Sequence, residues 1–442
     1  MSTVSEQLAA FIQATTTAGL RPDIVELAKS RVLDAIATAL TARGLPVPAL
    51  AAAFVQGNRG NATVIGSRAG VPAIDAALVN ATLVNGSSLD DFLEKSHPSA
   101  VVVPAALAVA EEQGASGADF LASVIAGYEL VGRAYLAAPG MLPRFRATGV
   151  AGAVGAAAAA GKLLKLDQAG LMNALGYAAM FASGFGEGFL SGTMEVKFNV
   201  GWAARSGVSA ARLAQLGGTA SPLVFEGKSG FLRAFGGGDA GHAAEATRGL
   251  GKHLLIEDTI YKEYPVCIFV QTPMYLALDL AKRHRLDPAR ISRVSILAPK
   301  DTFENPGFQN VAPYANALQA RTSASFCTTA ALLGKPIDEH DFYARTTDAE
   351  VLALAAKVEL LPPSADKERV TVRVACDGEV HEASALQMEM LRPATGKIVE
   401  KFRRLAGPVF GPSTDRVAEA VMQLDRARHV GELTELLRLD PG

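Results

Sequence analysis

Between Leu89 and Ser99 the chain sets two adjacent aspartates, Asp90 and Asp91, then Glu94 and Lys95, and then His97 closed by Pro98. His97 is the only histidine in the first 241 residues. Imidazole titrates closest to neutrality of all side chains, so modest neighbours tune it for proton transfer. The carboxylates upstream can orient such a ring or cap the helix that follows. The apolar run Ala100 to Ala110 is suited to burying that helix and holding the imidazole in a pocket. The chemistry suggested is removal or delivery of a proton beside a carboxylate. It requires a base near neutral pKa and cationic or hydrogen-bonding groups to hold the charge that develops.

Other residues have types suited to that second task. Lys262 and Tyr264 precede Pro265, where the character of the chain changes. The lysine can bind a carboxylate and the tyrosine can donate a proton, a reading favoured over a hinge lysine and a packed tyrosine because pockets form at domain boundaries. Lys197 is a lone charge among Val196, Phe198 and Val200, so it either snorkels to water or serves a site. Arg144 and Arg146 flank Phe145 shortly before Thr148 and an Ala/Gly-rich stretch. They can clamp a carboxylate or belong to a solvated loop. Arg321, Thr322 and Ser323 begin a helix that can offer donors to an anion. Gly184-x-Gly186-x-Gly188 lacks the preceding strand and spacing of a phosphate loop and reads as a connection. Cys267 has no neighbouring base in sequence and reads as packing.

These residues must be carried by elements, and from Glu6 to about Leu216 the apolar spacing is helical. Helices are expected over 24–41, 74–83, 105–113, 117–138, 151–164, 168–182 and 202–216. Ser116 and Asp167 stand where N-caps belong, and Gly217-Gly218 where a helix stops. After Tyr264 the pattern mixes strands (291–297, 358–361, 370–376, 380–384) with helices (271–283, 323–333, 348–357). Asp377-Gly378 marks a hairpin. Helices resume after Gly396. The reading is a mostly-α fold: a large all-helical domain over 1–263, a smaller α+β lid over 264–395, and C-terminal helices over 396–442 that return to the first domain.

Composition bounds the rest. Of 442 residues, 49% are hydrophobic, enough for a large core and two or three domains. With 42 Lys and Arg against 44 Asp and Glu and no basic stripe, nucleic acid is not an expected partner. Cys267, Cys327 and Cys376 are far apart and show no metal-like spacing, so a reducing cytoplasm is expected. The N-terminus lacks the pattern of a secretory signal. The uncharged stretch Ala147 to Leu164 is built of Ala and Gly rather than Leu, Ile or Phe. It therefore reads as a buried helix in a soluble chain rather than a membrane span.

Several ordered motifs resemble the MmgE/PrpD family. Asn80-Ala81-Thr82-Leu83 leads to Asp90-Asp91 and His97-Pro98-Ser99, and Gly114 and Gly117 lead to Gly127-Tyr128-Glu129. Gly152 and Gly155 precede Gly161-Lys162-Leu163-Leu164, and Gly201-Trp202-Ala203-Ala204 follows. Phe225-Glu226-Gly227 with Gly230-Phe231, and Lys262-x-Tyr264-Pro265-x-Cys267, complete the series. The family includes 2-methylcitrate dehydratase, cis-aconitate decarboxylase and iminodisuccinate epimerase. The resemblance implies a helical domain with an α+β lid, a homodimer, and chemistry on small di- or tricarboxylates without metal or organic cofactor. Departures from the family pattern cluster at the pocket. An Asp-x-Asp-Asp-Thr block becomes Ser88-Leu89-Asp90-Asp91-Phe92, and three further histidines correspond to Arg146, Asn199 and Gln271. His97 thus stands alone among the family's pocket histidines.

The expected function is a cofactor-independent lyase, a dehydratase or decarboxylase, abstracting a proton alpha to a carboxylate of a small polycarboxylate. The catalytic candidates are His97, Lys197, Lys262 and Tyr264. The substrate-binding candidates are Asp90, Asp91, Arg144, Arg146, Thr148, Asn199 and Gln271, with no metal ligands. An epimerase using two bases on opposite faces of one carbon is the close alternative, and a non-catalytic carboxylate-binding homologue the third. Nucleic acid and membrane are not expected partners.

Overall fold

The computed structural model describes residues 2–68, 70–237, 242–363 and 368–439. It divides into two compact units: one runs to Thr259 and resumes at Ala394, and the other is Ile260–Pro393.

In the first unit the Ala/Gly-rich stretch forms the helix Ala147–Leu163, buried along all its residues except Lys162. Small residues are required there because its neighbours approach backbone to backbone. A Cβ at Gly155 would lie 2.6 Å from the Gly127 carbonyl oxygen and 2.3 Å from Val131 Cγ2, on the helix Gly117–Ala137. On another side a Cβ at Gly207 would lie 2.6 Å from Ala157 N and 2.8 Å from Ala153 O, which seats the helix Glu195–Gln215. The helices Pro98–Gln113 and Gln168–Phe181 also pack on the Ala147–Leu163 helix, and the helix Ala73–Gly86 packs on Pro98–Gln113 and Glu195–Gln215. Ser116 and Asp167 cap as expected, accepting from Asp119 N and Gly170 N. The Glu195–Gln215 helix begins a full two turns before the expected residue 202. The apolar spacing is broken there by Lys197 and Asn199, which the structure turns to polar work. The helix Pro46–Phe54 and the small antiparallel pair Ala62–Thr63 with Gly70–Val71 were not anticipated.

The helix Gly117–Ala137 is long and apolar enough to cross a membrane by length and composition, with 94% of its most apolar window buried in the protein. It also carries a buried ion pair, Arg133 Nε to Glu129 Oε1 at 2.8 Å, and Glu129 Oε2 accepts from Leu255 N at 2.7 Å. Those groups are satisfied by protein, as a core helix requires.

The returning C-terminal segment forms the helix Thr395–Phe410, packed on the helix Pro22–Thr41. Lys401 Nζ pairs with Asp34 at 2.7 Å, both side chains buried, and donates to the Leu89 carbonyl at 3.3 Å.

The second unit is built on a four-stranded sheet in the order Val358–Leu360, Ile291–Leu297, Arg369–Cys376, Glu379–Leu386. The first two strands are parallel and the remaining pairs antiparallel. Asp377 and Gly378 turn the hairpin with φ of +54° and +82°, the left-handed pair that a two-residue turn of this hand demands. Val370, Val372 and Val374 bury one face, where the helix Ile268–His284 lies against the strands. The whole is a mostly-α fold with a smaller α+β part, as the sequence predicts.

Candidate active site

His97 occupies the N-cap position of the helix Pro98–Gln113. The loop before it is almost wholly buried from Leu89 to Leu93. It closes on itself through paired backbone hydrogen bonds between Leu93 and Ser96. The backbone N–H of His97 donates to Thr148 Oγ1 at 3.2 Å. Its ring keeps 18% exposure, with Phe92 edge-on at 5.5 Å between centroids. Nδ1 lies 2.8 Å from the Asp91 carbonyl oxygen and 3.3 Å from Asp90 Oδ2. Both oxygens can only accept, so Nδ1 carries the proton in the neutral ring. The lone pair that can take a proton is therefore at Nε2.

Asp90 and Asp91 divide the two roles the sequence leaves open. Asp91 caps the helix, with Oδ1 accepting from Ser99 N at 3.0 Å, while Oδ2 accepts from the Tyr128 hydroxyl at 2.7 Å. Complete burial raises its pKa to about 6, against the lowering influence of Arg31, Ser99 and Tyr128. Asp90 faces the imidazole and accepts from Asn85 Nδ2 at 2.5 Å. Behind both lies a buried charged layer. Arg31 donates to the Thr259 carbonyl at 2.5 Å, and Asp34 pairs with Lys401.

Arg146 is the N-cap residue of the Ala147–Leu163 helix and is 9% exposed. One guanidinium nitrogen donates to Asn85 Oδ1 at 3.0 Å, while the other terminal nitrogen is buried without a hydrogen-bond partner among the described residues. Burial lowers its pKa to about 10, which leaves it cationic at neutral pH. Lys197 Nζ donates to the Asn85 carbonyl and to Ser88 Oγ, both at 2.7 Å. Asn199 donates through Nδ2 to the Ser183 carbonyl at 3.1 Å, and its buried Oδ1 has no hydrogen-bond partner among the described residues. A Cβ at Gly149 would fall 2.0 Å from that oxygen, so the asparagine lies directly on the first turn of the Arg146 helix. Asp90, Asp91, His97, Arg146, Thr148 and Lys197 thus form one linked cluster, with Asn199 beside it. Arg144 is separate: its side chain is exposed and donates to the Gly140 carbonyl at 3.1 Å.

Lys262, Tyr264 and Gln271 belong to the second unit. Lys262 is buried. Gln271 uses its amide on the backbone of Tyr264, donating to its carbonyl at 2.7 Å and accepting from its N–H at 3.3 Å. Expected as a substrate ligand, it has its amide on the turn before Pro265. The Tyr264 ring packs on Tyr275 with centroids 5.6 Å apart. Arg321 donates to His340 Nε2 at 2.7 Å, and Ser323 caps the helix Ala324–Leu332. Cys327 is buried and its thiol is pushed well up by desolvation, an inert environment.

Sequence reading missed Asn85, Tyr128, Arg31 and Asp34. Asn85 precedes Gly86 and reads as turn chemistry. Tyr128 entered only as part of the Gly127-Tyr128-Glu129 motif, and Arg31 and Asp34 stand inside the helix Pro22–Thr41, where nothing local names their partners.

Two family models match: the MmgE/PrpD N-terminal domain over residues 6–243 and the MmgE/PrpD C-terminal domain over residues 264–426. Cis-aconitate decarboxylase of Aspergillus terreus (strain NIH 2624 / FGSC A1156) is 26% identical, the match covering 99% of this chain and 96% of the relative. The proteins of that name from Mus musculus and Homo sapiens are 26% and 25% identical. Each match covers 82% of this chain, and 76% and 77% of the respective relative.

Proposed function

Because the chain belongs to the MmgE/PrpD family, we propose that it is a cofactor-independent lyase. It would act on a small di- or tricarboxylate, with His97 as the proton carrier and Arg146 as a carboxylate anchor. The observation that carries this reading is the fixed polarity of His97: Nδ1 is held by the Asp91 carbonyl and the Asp90 carboxylate, which leaves the acceptor lone pair at Nε2. In a dehydration, Nε2 takes the proton alpha to a carboxylate. The carbon–hydrogen electron pair forms the double bond, and hydroxide leaves as water with a proton from a general acid. In a decarboxylation, the broken carbon–carbon bond sends its pair into the adjoining unsaturated acid, and the imidazolium returns a proton to carbon. In both directions Asp90 balances the imidazolium. The unpaired donor of buried Arg146 supports carboxylate binding, since leaving it unsatisfied is costly. Lys197, donating to two oxygens, is suited to steady developing negative charge rather than to act as a second base.

The test is a panel of di- and tricarboxylates, cis-aconitate included, incubated in heavy water with the wild type and His97→Ala. Loss of carbon dioxide with deuterium entering the product, or loss of water with deuterium entering the recovered substrate, each absent in His97→Ala, is the expected result. Deuterium exchange with inversion and no elimination would replace the lyase by an epimerase. No exchange with any acid would leave a carboxylate-binding homologue.

A further inference from the structure

Asn85 uses both ends of its amide at a point where three functional candidates meet. It sits on the last turn of the helix Ala73–Gly86 and is 1% exposed. Its Nδ2 donates to Asp90 Oδ2 at 2.5 Å, its Oδ1 accepts from Arg146 at 3.0 Å, and its backbone carbonyl accepts from Lys197 Nζ at 2.7 Å. The two partners also fix which way the amide lies, because a carboxylate can only accept and a guanidinium can only donate. The Asp90 oxygen that Asn85 holds is the one 3.3 Å from His97 Nδ1. One neutral side chain therefore separates an anion that orients the imidazole from a cation suited to a substrate carboxylate.

We infer that Asn85 is a positioning residue. It keeps Asp90 and Arg146 from collapsing into a direct ion pair, so that Asp90 stays on His97 and one face of Arg146 stays available to an anion. A direct pair would satisfy both charges and remove both from the site. The inference deepens the proposed function and rests on it for its catalytic consequences, but the arrangement can be tested without substrate.

Asn80 supplies the control. It lies on the same helix, is equally buried, and uses its amide on the Ile65 N–H and the Thr63 carbonyl, both at 2.8 Å. The experiment follows the His97 ring in ligand-free, 15N-histidine-labelled protein, assigned by its loss in His97→Gln, in wild type, Asn85→Ala, Asn85→Asp and Asn80→Ala. In the wild type, the Nδ1-protonated tautomer is expected. Asn85→Ala should shift the Nδ1 proton signal and speed its exchange with water by about tenfold, the effect of losing one charge-assisted hydrogen bond. Asn85→Asp keeps the size and the acceptor for Arg146 but removes the donor to Asp90, and it should move the same signal should Asn85→Ala fail to fold. Asn80→Ala should lower thermal stability and leave the His97 signal in place. An unmoved signal in the Asn85 variants, or an equal shift in Asn80→Ala, overturns the inference. With cis-aconitate as the assayed acid, Asn85→Ala should lower kcat and raise KM together, while Asn80→Ala leaves both unchanged per folded molecule. An inactive wild type overturns the proposed function without touching the ring measurement.

Discussion

His97 is given direction by two oxygens on one side of its ring, one of them a main-chain carbonyl that no substitution at Asp91 can remove. Replacing the imidazole is therefore the clean test of proton transfer. His97→Gln should lower kcat by about 10²- to 10⁴-fold with KM within a few-fold, read by product formation on whichever acid the panel identifies. Arg146→Lys should do the reverse, raising KM by about tenfold or more with a smaller effect on kcat. A point charge cannot hold Asn85 and a carboxylate through one planar fork. Asp91 bears on stability through its burial. Its folded pKa of about 6 stands above the ordinary 3.8. Between those values the folded chain holds a proton that the unfolded chain has lost, so its contribution to stability grows as pH falls from about 6 towards 3.8. Above about 6 the buried charge is a constant penalty of about 3 kcal/mol at most. Asp91→Asn keeps an acceptor for Ser99 N and abolishes the titration. Thermal unfolding between pH 7 and pH 4 should then show less stabilisation on acidification than in the wild type. Asp34, Glu129 and Glu94, raised by burial in the same direction, contribute to the slope that remains.

At the scale of elements, the site depends on how closely the Ala147–Leu163 helix is approached. Arg146 and Thr148 stand at its start, and Gly127, Gly155 and Gly207 let its neighbours touch its backbone. Gly155→Ala inserts a methyl 2.6 Å from a carbonyl oxygen on the facing helix. It should cost about 1–3 kcal/mol by overpacking, seen as a lower Tm, with kcat per folded molecule little changed. Gly149→Ala meets Asn199 Oδ1 at 2.0 Å and the Ser183 carbonyl at 2.4 Å, so it should disturb the site as well as the packing. The helical spacing was legible because most core positions are apolar at the right interval. It failed at Glu195–Trp202, where the residues facing the site are polar and break the pattern that marks a helix.

At the scale of the molecule, the first unit is discontinuous, and its C-terminal segment carries the cation for Asp34. Lys401→Met leaves a buried carboxylate without its partner and should cost about 3–5 kcal/mol. The double variant Asp34→Asn with Lys401→Met should recover much of that loss, measured by denaturant unfolding. A cost in the double variant equal to that of the single one would show that packing, not charge, is what Lys401 supplies. The return of the chain was readable as helices after Gly396. Its purchase on Asp34 was not, because nothing local links two residues so far apart in sequence.

Sequence alone determined the mostly-α architecture with its smaller α+β part, the family, and His97 as the histidine set in a charged, buried loop. Each of these rests on spacing, composition or order along the chain, which folding does not rearrange. Tertiary structure decided which nitrogen of His97 faces the acceptor oxygens and which is left to accept. It also decided that Asp91 caps while Asp90 orients, that Arg146 and not Arg144 joins the cluster, and that Asn85 lies between them. Those are questions of direction at a few tenths of an ångström. Hydrogen-bond donors and acceptors acquire a direction only when elements remote in sequence are packed against one another.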